Sequence, residues 1–94
     1  MAWRVVCAYA RAPMDPAELR ARVQELISDG FLPAALPRQT WGGPAKGDSI
    51  CAACGDLIQA KEPEVESDCI DGVRRFYHAV CSQVVERVRG PAPA

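Results

Sequence analysis

The chain has 94 residues, 49% of them hydrophobic and 24% charged, which fits one small domain, or a compact unit with an attached arm, and excludes an intrinsically disordered composition. Its formal net charge of −1 lacks the basic excess on which generic nucleic-acid binders rely, and no apolar run approaches the ~20 residues that span a bilayer. A chain this short buries a limited core, so a metal, disulfides or a partner is expected to help hold its shape.

Residues 3–10, WRVVCAYA, alternate in the period-2 manner of a strand, and Pro13 ends it. The apolar stretch between Arg4 and Arg11 is only six residues long, shorter than a typical secretory core, so a cytoplasmic protein with reduced thiols is expected. A helix is predicted over roughly 16–29. Asp15 can cap it, Pro16 suits its first position and Glu18 completes a capping box. Leu19, Val23, Leu26 and Ile27 form its apolar stripe, and Gly30 with Pro33 terminates it. Residues 31–48 hold three prolines and three glycines and read as an irregular connection, pinned to the core by Phe31, Leu32, Leu36 and Trp41.

From Ile50 the pattern tightens. CAACGDLI reads as a cysteine turn entering a short strand. EVESDCIDGVRRFYH reads as a hairpin with Asp71-Gly72 as a two-residue turn, a register that sets Asp68 opposite Arg75. HAVCSQVVERVR reads as a helix with Val80, Val84, Val85 and Val88 on one side, ended by Gly90 and Pro91. The predicted organisation is therefore α+β: an arm over 1–47 with strand, helix and Pro/Gly-rich connection, a cysteine-bearing unit over 48–90, and a disordered tail over 91–94. Charge is uneven along it: +2 over residues 1–47, −6 over 48–71 and +3 over 72–94.

Chemistry concentrates at four positions. Cys51 and Cys54 form a C-x2-C pair; after 23 intervening residues His78, the only histidine, stands in H-x2-C with Cys81. Three thiolates and one imidazole are a closed shell for a single structural Zn2+. Gly55 lets the backbone turn tightly after the pair, and His78 and Cys81 share a face of the helix at i and i+3. A helix N-terminus also favours thiolate. Five cysteines leave one over in any disulfide framework, and simple reduced, buried thiols are the plainer alternative. Cys69 is a rival ligand, expected instead to be a small core or surface residue. Cys7 is expected in the core, and Trp41, beside Gly42-Gly43, is expected to anchor the connection, with a recognition aromatic as the alternative. Arg74 and Arg75 point to opposite faces of a strand and do not make one anion pocket.

The order of cysteine turn, hairpin and ligand-bearing helix resembles a treble-clef zinc finger, and C-x2-C … H-x2-C is similar to the first zinc module of a LIM domain. The resemblance covers residues 50–89 and implies Cys51, Cys54, His78 and Cys81 as zinc ligands. The second LIM module has no counterpart among the remaining residues, so the properties of LIM partners do not carry over. The chain as a whole is similar to small bacterial zinc-binding proteins. Two functions follow as expectations. The first is a non-catalytic module docking on another protein, with Glu62, Glu64, Glu66, Asp68 and Asp71 as its charged surface. The alternative is a nucleic-acid-binding or regulatory finger using Arg20, Arg22, Arg38, Lys46, Arg74, Arg75, Arg87 and Arg89, against which the acidic 48–71 segment argues. An enzyme is not expected: the cysteine pair does not sit beside a βαβ unit, no Ser/His/Asp set exists, and GGPAKGDS lacks the phosphate-loop order.

Overall fold

The computed structural model describes residues 14–90; the expected strand over 3–10, with Cys7, and the expected tail over 91–94 lie outside the described residues. The elements in order are helix α1 (Pro16–Ser28), strands β1 (Gln39–Pro44), β2 (Ser49–Ile50), β3 (Leu57–Ile58), β4 (Pro63–Asp68) and β5 (Arg74–His78), and helix α2 (Ala79–Arg89). The fold is α+β.

Helix α1 forms where its capping residues dictate. The Asp15 carboxylate accepts from the Ala17 N–H at 3.0 Å, and at the other end the Gly30 N–H returns to the Ile27 carbonyl. Its apolar stripe faces inward: Leu19 and Val23 are buried, while Leu26 and Ile27 pack at the margin. They join Leu32, Ala45, Cys51, Ala53, Ile58, Tyr77, Cys81 and Val85 in one core, so α1 shares its packing with the cysteine turn and with α2.

The main sheet is antiparallel with order β1-β4-β5. Its edge strand β1 lies inside the stretch expected to be irregular. Gln39 pairs with Asp68 and Pro44 with Pro63. Every residue of β1 is exposed, so the strand owes its form to pairing with β4 and not to an apolar pattern of its own. The anchoring of this stretch also differs from expectation. Leu32 is 2% exposed, but Phe31, Leu36 and Trp41 remain open to solvent.

The β4–β5 hairpin forms, one register step away from the sequence expectation: Asp68 faces Arg74, and Ser67 faces Arg75. The cause is the turn. The Cys69 N–H bonds the Val73 carbonyl, leaving a three-residue loop, Ile70–Gly72, in which Gly72 takes φ +83. Arg75 then reaches Asp71, at 3.0 Å, instead of Asp68, and its hydrogen bonds hold the Asp71 carboxyl below its ordinary range. Helix α2 buries Cys81, Ser82 and Val85. Val80 is 63% exposed, because the inward face runs through Cys81 and Val85.

Ile58, fully buried on β3, and Ile50, exposed on its partner β2, offer a matched comparison. Ile58→Ala lowers the unfolding free energy by about 2–5 kcal/mol. Ile50→Ala changes it by less than about 0.5 kcal/mol. Denaturant titration of the two variants checks the difference, and equal effects would place the core elsewhere.

Candidate metal centre

β2 and β3 are two residues long and pair only at Ser49–Ile58 and Ile50–Leu57. Their purpose is the loop they close. The Cys51 N–H bonds the Asp56 carbonyl, and the Gly55 N–H bonds the Cys51 carbonyl with Gly55 at φ +82. This tight turn brings Cys51 and Cys54 to one side, and the Cys54 N–H points at the Cys51 sulfur at 3.5 Å. The turn is held from two directions. The Ala52 N–H bonds the Phe76 carbonyl at the free edge of β5, and Arg22 of α1 donates from Nε to the Ala53 carbonyl at 2.6 Å.

The other pair of ligands arrives from the junction of β5 and α2. His78 is the last residue of β5 and the N-cap of α2, not a residue of the helix proper as the i, i+3 spacing implied. Cys81 is the third helical residue, and an N-cap side chain naturally lies over that position, which produces the same convergence by a different route. The His78 side chain makes no capping bond. Its Nδ1 instead lies 3.4 Å from the Cys54 sulfur and 3.9 Å from the Cys81 sulfur.

The structure thus brings together Cys51, Cys54, His78 and Cys81, with one ligand atom from each lying within 4.8 Å of the others. Tetrahedral zinc with bonds of about 2.3 Å to sulfur sets its sulfurs about 3.8 Å apart, so this donor set fits such an ion with small adjustments. Cys51 and Cys81 are buried and belong to the core, while Cys54 and His78 are half-buried. Cys69 is absent from the group. It is 1% exposed, at the hairpin end of the sheet, with its thiol directed to the Ser67 carbonyl.

Three sulfurs at such distances cannot all ionise without a cation among them. The Cys51 thiol is lowered to about 4, chiefly by a hydrogen bond from Cys81 and further by backbone N–H groups of the turn. Burial, then the Cys51 charge, pushes Cys54 up to about 11. Cys81, which donates to Cys51 and is also buried, is driven far above its ordinary value. These directions favour one thiolate shared among hydrogen-bonded thiols, and a divalent cation would supply the charge that lets the other sulfurs ionise.

A cavity of about 1080 Å³ opens beside the cluster, lined in part by Cys54, His78, Cys81, Glu62, Leu57 and Val80. Glu62 and Arg22 contact the site without a ligand motif to announce them, and only their placement by the turn after β3 and by α1 reveals them. No helix among the described residues is long and apolar enough to cross a membrane. Comparison with protein-family models, with curated proteins and with solved structures found no match.

A metal ion taken by all three sulfurs as thiolates would displace the protons that burial and the lowered Cys51 thiol hold on Cys54 and Cys81. The sign follows: affinity rises with pH while those thiols stay protonated in the free protein, and metal is lost on acidification. Calorimetry at pH 7 in buffers of different ionisation enthalpy should return about two protons released per zinc bound. Zinc uptake with no thiol-derived protons would contradict the arrangement.

Proposed function

We propose that this chain is a small, non-catalytic zinc protein of a reducing compartment, whose single structural Zn2+ holds a treble-clef-like finger that docks on another protein. The observation that carries the proposal is the convergence of three sulfurs and one His78 ring nitrogen within 4.8 Å, with Cys51 and Cys81 in the shared core. Three soft thiolates and one imidazole select zinc over the harder cations, and four protein donors complete its shell without a position for substrate. The order of cysteine turn, hairpin and helix supports the finger reading.

The interaction role is supported by what the finger displays. Trp41 is 42% exposed on the edge strand, with the Arg74 guanidinium 5.7 Å from its ring centroid, and Arg74 in turn bonds Glu66 at 2.9 Å. An aromatic beside arginine on an exposed strand is the composition of a protein-binding hot spot. The same pairs argue against the nucleic-acid alternative. Arg38 faces Asp68, Arg74 faces Glu66 and Arg75 faces Asp71, so three of the arginines that would meet phosphate already sit against carboxylates.

Native mass spectrometry of protein purified without denaturation should find one zinc per chain, and chelation should abolish its thermal unfolding transition. Zinc in finger peptides supplies about 10–16 kcal/mol of apparent binding energy, comparable to the ~5–15 kcal/mol stability of a whole domain. A metal-free chain that unfolds cooperatively at the same temperature would overturn the structural role. Duplex binding that weakens steeply with salt would overturn the choice of a protein partner.

A further inference from the structure

We propose that Glu62 is a positioning residue for the metal centre, holding the His78 ring so that Nδ1 is the ligating nitrogen. The inference rests on the metal reading above and assigns a role to a residue outside the ligand set.

The ring presents Nδ1 to the sulfurs of Cys54 and Cys81, so its other nitrogen faces away from them. A neutral imidazole that binds metal through Nδ1 carries its proton on Nε2 and needs an acceptor there. In this chain the group facing Nε2 is the Glu62 carboxylate, with Oε2 at 3.9 Å. That gap is longer than a direct hydrogen bond. It is within reach of a small side-chain rotation or a bridging water.

The backbone holds Glu62 in place with unusual care. Its N–H bonds the Gln59 carbonyl, and its own carbonyl accepts from the Ala45 N–H at 2.9 Å. Lys61, immediately before it, is the one non-glycine with positive φ among the described residues, at +74. A side chain rarely adopts that left-handed backbone conformation without strain. The Lys61 N–H is tied to the Ala45 carbonyl, which fixes the strained turn against the chain leaving β1. Within the turn, Oε1 of Glu62 accepts from the Gln59 N–H at 2.8 Å. One carboxylate oxygen is therefore anchored, and the other is directed at the imidazole. Closing the turn accounts for Oε1 alone. A carboxylate on the outer nitrogen of a ligating imidazole fixes the ring's tautomer and orientation.

Glu62→Gln separates the two roles, because its amide oxygen can still accept from Gln59 while the charge facing Nε2 is gone. Zinc affinity is measured by competition with a chromophoric chelator in the full chain, beside Glu25→Gln, which removes the same charge from an exposed position of α1. The expected result is a 10–100-fold weaker affinity for Glu62→Gln and no change for Glu25→Gln. Because His78 is the only histidine, nitrogen NMR of the loaded protein reads its ring without overlap. In the wild-type chain it should show Nδ1 bound and a protonated Nε2 whose exchange with solvent quickens in Glu62→Gln. Equal affinity in the wild-type chain and Glu62→Gln, or a ring bound through Nε2, would overturn the role of Glu62 while leaving the metal reading intact. A wild-type chain that takes up no zinc would overturn both.

Discussion

Three sulfurs crowded against one imidazole are the constraint on which the rest of the molecule depends. Their sources are remote in sequence: a six-residue loop pinched by two minimal strands, and the junction where β5 becomes α2. Nothing in the local preference of either segment requires them to meet. Without a cation, burial of Cys54, the hydrogen bond that Cys81 donates to Cys51, and mutual repulsion all oppose ionising the three sulfurs together. Cys51 and Cys81 are also core residues, packed with Leu19, Val23, Ala53, Tyr77 and Val85. The site is therefore continuous with the apolar interior, and a charge imbalance there acts on the whole fold.

Helix α1 joins the centre through packing and through one polar contact. Leu19 and Val23 enter the core, and Arg22 grips the Ala53 carbonyl between the two cysteines of the turn. A cationic side chain there also suits a cluster that carries net negative charge once three thiolates surround a divalent ion. The sheet contributes differently. Its β5 edge is capped by the turn through Ala52 and Phe76, while β1, with Trp41 and two glycines, pairs only with β4 among the described residues.

How much of this was legible in the sequence depended on whether local chemistry or distant pairing decided each element. Helix α1 was readable because Asp15, Pro16 and the Leu19/Val23 stripe act within a few residues. The four clustered side chains were readable because C-x2-C and H-x2-C impose short-range geometry whatever surrounds them. Strand β1 was not, since QTWGGP has no alternation and becomes a strand only by lying along β4. The hairpin register missed by one residue because Asp-Gly serves both a two-residue turn and a three-residue loop, and the placement of Cys69 opposite Val73 decides between them. Val80 shows the limit of a stripe of like residues: Cys81, one position on, took the inward face. Arg22 and Glu62 carried no local signal, for their roles exist only after the chain has folded.

X-ray absorption at the zinc edge of the purified, loaded protein tests the central claim most directly. The account predicts a first shell of three sulfurs at about 2.3 Å and one nitrogen at about 2.0 Å. A shell of four sulfurs, which would require Cys69 in place of His78, or a shell dominated by oxygen, would contradict it.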